Sequence, residues 1–185
     1  MKLSPRLLIV LAVVVAAVLI FVGWMVLAYN GLVAKQQNVS AQWAQVENQY
    51  QRKIDLIPNL VATVSQYQQF ERSTLENITA LRSQWLNASG ARGQVNISNA
   101  LNAQLYDVRL TYEAYPELQS VTLVAGLMDE LAGTENRITV ERARYNDGVR
   151  AFNTQVHSFP DLLVAGWFGF TDFEYYNSVP GGPPT

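Results

Sequence analysis

The chain contains no cysteine and only one histidine, His157, among its 185 residues. Without cysteine there is no disulfide, no thiol nucleophile and no thiolate-ligated metal. A single histidine removes every multi-histidine metal site and leaves little from which to build a Ser–His–Asp triad. The serines and threonines have no base at a motif spacing, and no G-x-S-x-G, Walker A or Gly-rich dinucleotide loop is present. Charge is scarce as well, with only 15% Asp, Glu, Lys and Arg and a net charge of −2. Setting aside Lys2 and Arg6 at the N-terminal tip leaves 11 basic residues against 15 acidic ones, or −4. Such a mildly acidic remainder has no electrostatic footprint for nucleic acid. Nothing here suggests an enzyme, a cofactor or a bound metal.

What is present begins with a gap in the charge pattern: no acidic or basic residue occurs between Arg6 and Lys35. Leu7 to Ala28 reads LLIVLAVVVAAVLIFVGWMVLA. About 20 apolar residues in a helix span the hydrocarbon core of a bilayer. Trp24 and Tyr29 sit near one end, where amphipathic rings favour the interface. Lys2, Arg6 and the α-amino group flank the other end, and only Lys35 follows closely on the far side. The positive-inside rule then places residues 1–6 in the cytoplasm and the bulk of the chain outside it, anchored in a bacterial cytoplasmic (inner) membrane with the bundle on the periplasmic side. A cleaved signal peptide is the competing reading. Its apolar region is usually about 7–15 residues, shorter than this run, although Val26-Leu27-Ala28 is a passable cleavage site.

Beyond the span the apolar period becomes helical. Leu32, Val39, Trp43, Val46, Tyr50, Ile54 and Ile57 form one stripe, with Gln, Asn, Glu and Lys on the opposite face. The membrane helix can run straight on into this one. Pro58 disfavours helical geometry in the residue before it and suits a first turn. A break is therefore expected there, with a second helix striped by Leu60, Val64, Tyr67, Glu71, Leu75, Ile78 and Trp85. Residues 87–93 read as a loop. A third helix is expected over Ser98–Ala114, carrying Leu101, Leu105, Val108 and Tyr112 and broken at Tyr115-Pro116. The cleanest pattern runs Val121, Val124, Met128, Leu131, Glu135, Ile138, Arg142, Tyr145, Val149, Phe152, Val156, Phe159. Its spacings of 3 and 4 make a coiled-coil-like seam about five heptads long, and Pro160 ends it. The expected fold is all-α: a transmembrane helix at 7–28, then an antiparallel bundle of about four long helices over 29–160. An aromatic-rich segment at 161–176 and a disordered tail at 177–185 complete the chain.

Ionisable residues occupy three seam positions, Glu71, Glu135 and Arg142, and Arg82 lies one residue off its stripe. A charge in a bundle core must be paired or it costs several kcal/mol. One reading is a Glu/Arg network lining a ligand or proton site. The favoured reading is an ion-pair network that fixes helix pairing and register. A third is that these long side chains reach water at the bundle's edge. A bridging metal between carboxylates would call for Glu-x-x-His on the helices, and Thr74 and Ile138 stand at those positions. His157, just before the end of the last helix, complements the helix dipole as a C-terminal cation. The stretch from Phe159 to Tyr176 crowds Phe159, Trp167, Phe168, Phe170, Phe173, Tyr175 and Tyr176 together. These aromatics either cap the open end of the bundle or form an exposed apolar surface for membrane or partner binding. Low positive charge in the segment argues against simple attraction to anionic lipid headgroups, so self-association is the better version of the second reading.

The motifs also carry a resemblance. Tyr29-Asn30-Gly31-Leu32-Val33 follows the apolar run, and Arg52-Lys53-Ile54-Asp55-Leu56-Ile57-Pro58-Asn59-Leu60-Val61 follows that. Tyr67 with Glu71 and Tyr115-Pro116-Glu117-Leu118 come next. The series closes with Thr134-Glu135-Asn136-Arg137-Ile138, Arg142, Tyr145-Asn146, Phe152-Asn153 and Phe159-Pro160. Over nearly its whole length the chain resembles the LemA family of bacterial membrane proteins. It departs from that family at Arg52-Lys53, Phe70-Glu71 and Leu81-Arg82, where the family tends toward Arg-Arg, His-Glu and Ala-Arg. The resemblance implies a single-pass anchor, an all-α bundle and no known enzymatic activity. Members linked to magnetosome membranes imply scaffolding or shaping of membranes, and members encoded near membrane proteases imply envelope maintenance. The expected function is a non-enzymatic membrane scaffold that forms a homo-oligomer. The alternative is an adaptor for another envelope protein such as a membrane protease.

Overall fold

The computed structural model describes residues 5–88 and 91–176. All regular structure among them is helical: α1 Pro5–Val64, α2 Arg72–Asn87, α3 Ala91–Ala114, the single turn α4 Pro116–Gln119, α5 Thr122–His157 and α6 Asp161–Phe168. Residues 177–185, expected to form a disordered tail, lie outside the described residues. The chain divides into two compact units. One comprises residues up to Trp43 with Arg144–Tyr176, and the other comprises Ala44–Ala143.

In the first unit α1 begins as a bare apolar rod. Apart from the half-buried Trp24 and Met25, its large side chains from Leu7 to Leu27 stand exposed, and this stretch is long and apolar enough to cross a membrane. Full burial starts at Ala28, and Leu32 and Val39 are almost completely covered. They face α5, which runs antiparallel to α1. Lys35 Nζ donates to the Ala151 carbonyl at 3.3 Å, and Gly31 lies beside Gln155. The helices approach closely at Gly148, where a Cβ would run into the Gln42 side chain. Val149, Phe152 and Val156 complete this core with Val164 and Ala165 of α6.

In the second unit the later part of α1 supplies Val46, Ile54, Ile57, Leu60 and Val64. These side chains are buried together with Leu75, Ile78 and Trp85 of α2, Leu101 and Val108 of α3, Leu118 of α4, and Val124, Leu131 and Ile138 of α5. Almost every apolar residue of the two long stripes is covered, with Trp43, Val121 and Met128 half-buried and Phe159 exposed.

The break expected at Pro58 does not occur; α1 continues through it to Val64. Proline has no N–H, so the carbonyl four residues back, that of Ile54, loses its helical donor. Arg82 of α2 supplies a replacement: its Nε donates to the Ile54 carbonyl at 3.3 Å. The chain leaves the helix only after Val64, and α2 begins at Arg72 rather than extending an earlier helix. Arg82→Ala is expected to cost about 1–3 kcal/mol, the penalty of an unsatisfied buried carbonyl. In a Pro58→Ala background residue 58 regains its N–H, and the same substitution should cost much less. A double-mutant cycle by urea unfolding checks this coupling.

Candidate functional site

Among the described residues, each unit carries a marked concentration of polar hydrogen bonds. In the second unit it centres on Lys53, whose residue is only 4% exposed. The position is legible in retrospect: Lys53 stands seven residues after Val46 and four before Ile57, on the buried face of α1. Its ammonium donates to the Glu135 carboxylate of α5 and to the Asn102 side-chain oxygen of α3. Asn102 Nδ2 donates in turn to Glu135 Oε1 at 3.4 Å. Three helices are thus tied by one cation, one carboxylate and one amide. Burial pushes the Lys53 ammonium below its ordinary value of 10.5; the charge and hydrogen bond of Glu135 oppose this, and the Arg142 charge adds to it. The cluster borders a pocket of about 220 Å³ walled by Leu105, Tyr106, Met128 and Leu131.

Of the four residues expected to form a charged network, the structure brings Glu135 and Arg142 to this region of the core and places the other two elsewhere. Arg142 donates to the Tyr50 hydroxyl, and its guanidinium carbon lies 5.7 Å from the centre of the Tyr50 ring, a cation–π arrangement. Arg82 serves the Ile54 carbonyl, as described above. Glu71 is exposed at the N-cap of α2, where it accepts from Ser73 Oγ at 2.7 Å. The predicted stripe fails there because α1 ends at Val64 and the helical phase is lost across residues 65–71.

In the first unit the polar chemistry holds the C-terminal segment. Gly169 ends α6 with φ 73°, a left-handed cap that glycine adopts without a Cβ penalty. The chain then runs back along α5 without regular structure to Tyr176. Two asparagines of α5 grip its backbone. Asn153 donates to the Phe173 carbonyl at 2.9 Å and accepts from the Phe173 N–H at 3.0 Å. Asn146 does the same to Tyr176, at 3.2 and 2.7 Å. The two are seven residues apart and so project from one face of the helix. Tyr145 Oη donates to the Glu174 carbonyl at 3.0 Å, and burial raises the Tyr145 phenol above its usual range, with the Glu174 charge adding to this. Each asparagine acts as a fragment of sheet, satisfying an N–H and a C=O that would otherwise lose their partners on burial. Asn153→Ala is expected to lose about 1–2 kcal/mol, given the modest net worth of each hydrogen bond. It should also speed amide exchange at Phe173 while leaving the α5 core amides protected, as read by hydrogen–deuterium exchange.

The seven aromatics near the C-terminus separate into two sets. Phe170 and Phe173 pack edge-on against Phe152, with ring centres 6.3 and 5.1 Å away. Tyr176 is buried against Trp43 at 6.4 Å, and Tyr175 is half-buried. Phe159, Trp167 and Phe168 stay exposed. His157 pairs with Asp172 at 2.9 Å on the surface.

Residues 42–181 match the family model described as LemA. The chain belongs to the LemA family. The apolar run at the start of α1 lies ahead of the matched stretch, whereas Lys53, Asn102, Glu135 and both asparagines of α5 fall inside it. This LemA-family chain is also distantly similar to "Magnetosome protein MamQ 2" of Paramagnetospirillum magneticum, at 22% identity over 194 residues that cover 91% of this chain and 71% of that protein. It is similar to "Magnetosome protein MamQ" of Magnetospirillum gryphiswaldense at 23% identity over 202 residues, covering 93% and 73% of the two chains.

Proposed function

We propose that the protein is a non-enzymatic scaffold of the bacterial envelope, anchored by Leu7–Ala28 in the inner membrane with its bundle on the periplasmic side and assembled from copies of itself. The observation that carries the reading is the continuity of α1, whose bare apolar stretch runs on without a linker into residues that pack against α5. A first unit mounted in this way holds a fixed attitude to the bilayer, which suits a structural part better than a freely tethered domain. The Lys53 cluster supports it: the buried ammonium is spent on two partners that join three helices, the use to which polar groups in bundle cores are best suited. Likeness to proteins named for the magnetosome accords with an organising role. The orientation follows from Lys2 and Arg6 before the span against Lys35 alone soon after it.

Because the chain lacks cysteine, single cysteines at exposed apolar positions of the bundle provide a clean test. Leu110→Cys, Leu123→Cys and Val140→Cys, oxidised in native membranes, should give disulfide-linked pairs of this chain at one or more positions. Bands at the mass of a single chain throughout would argue against self-assembly. The pocket beside Tyr106 favours a second reading, an adaptor that takes an apolar side chain of another envelope protein. That reading gains if photo-crosslinking from position 106 in native membranes yields a heterologous adduct.

A further inference from the structure

Where α5 ends, the first unit turns an apolar face toward the span. The pairings Lys35 with Ala151 and Gly31 with Gln155 set an antiparallel register between α1 and α5. Followed to the end of α5, that register brings His157 level with Tyr29, and Phe159 lies two residues further on. Phe159 and Leu27 are both strongly exposed, at 81% and 73%. Beyond them α6 packs Val164 and Ala165 inward and leaves Leu162, Leu163, Trp167 and Phe168 uncovered. The depth of this face is fixed by ring contacts with α1: Trp167 lies 6.4 Å from Phe21, and Phe168 lies 4.7 Å from Tyr29.

Phe21 is within the apolar rod. Leu7 to Leu27 spans about 30 Å at helical rise, the thickness of a hydrocarbon core. Phe21 is six residues inside the Leu27 end, or about 9 Å along the helix. An uncovered tryptophan at that height meets lipid once α1 crosses the bilayer. We infer that α6 and Phe159 form a second membrane contact, a short helix lying in the interface beside the span with its apolar face in the acyl boundary. The depth matches that of interfacial helices, about 5–10 Å below the headgroups. Residues 158–176 contain no lysine or arginine and three acidic residues, Asp161, Asp172 and Glu174. The attraction is therefore apolar insertion, indifferent to lipid charge. Of the two acids nearest this face, Asp161 accepts from Gln155 at 2.6 Å and Asp172 is hydrogen-bonded to His157 at 2.9 Å, so each carboxylate has a side-chain partner on α5.

This inference rests on α1 spanning the membrane, and the test separates the two. Nitroxide labels go on F159C and on L163C, with V14C as the span control and Q68C as the aqueous control, each in the full-length chain in phosphatidylcholine nanodiscs. Collision rates are measured with oxygen, which partitions into lipid, and with a nickel chelate, which stays in water. Positions 159 and 163 should report lipid exposure, shallower than position 14 and unlike position 68, and should do so equally in discs containing phosphatidylglycerol. A lipid signal at 14 with an aqueous signal at 159 and 163 would overturn the interfacial helix and leave the span intact. An aqueous signal at 14 would overturn both. Shielding of 159 and 163 from both reagents would mean that protein covers the face, and insertion only in anionic discs would mean that charge drives it; either result overturns the inference.

Discussion

Glu135→Ala should cost about 3 kcal/mol of stability while Lys53→Met costs little or nothing, although both break the same ion pair. The asymmetry follows from who is buried. Lys53 sits almost entirely out of water, whereas the Glu135 side chain retains 38% of its exposure. Removing the carboxylate strands an ammonium in the core, and breaking a buried pair in that way typically costs about 3–5 kcal/mol; the low end applies because the partner is partly hydrated. Replacing the lysine by methionine fills similar space with an apolar side chain and leaves behind a carboxylate that water already reaches. Such replacements are often neutral or stabilising. Urea unfolding of the full-length protein in detergent micelles, followed by far-UV circular dichroism, compares the two. The pH dependence supplies an independent signature. Because burial holds the Lys53 ammonium below 10.5 in the folded state, the unfolded chain binds the extra proton in the window beneath that value. The stability tied to this group is then fully present above 10.5 and is lost as pH falls through the folded-state value. Wild type should therefore gain on Lys53→Met as pH rises toward 10.5, and a flat difference would contradict the buried charge.

Phe152→Ala should be comparably damaging, at about 3–5 kcal/mol for a fully buried aromatic. Phe152 is wholly covered and receives both Phe170 and Phe173. Its loss opens a cavity and removes the apolar seat of the segment that Asn146 and Asn153 hold by its backbone. Two readouts should move together: global unfolding at lower urea, and early proteolysis between residues 169 and 176. Phe152→Leu should recover most of the stability. Loss of stability without release of the segment would mean that the asparagines alone suffice to hold it.

The two long stripes were legible in the sequence because burial on one helix face imposes a period that side chains cannot disguise. The apolar run was legible because nothing else places 28 residues between consecutive charges. Pro58 misled because the rule it invokes is local, while the compensation comes from Arg82, 24 positions away and on another helix. Glu71 misled because a stripe was extended through a stretch that is not helical. Lys53 lay in plain sight on the buried face, but a lysine is ordinarily a solvated residue, and its partners Asn102 and Glu135 are 49 and 82 residues off. The asparagine grip was written as Tyr145-Asn146 and Phe152-Asn153, an aromatic–amide pair repeated at seven. The aromatic members read as core, and the amides read as surface, because their partners are backbone groups 20 and 30 residues downstream that no side-chain pattern announces.

The central claim, a scaffold assembled from copies of one chain, is tested most directly by the mass of the full-length complex extracted gently from its native membrane. Mass photometry, corrected for bound lipid and detergent, should give a multiple of the 20.7 kDa chain well above one. A single copy, alone or bound to a different protein, would contradict it.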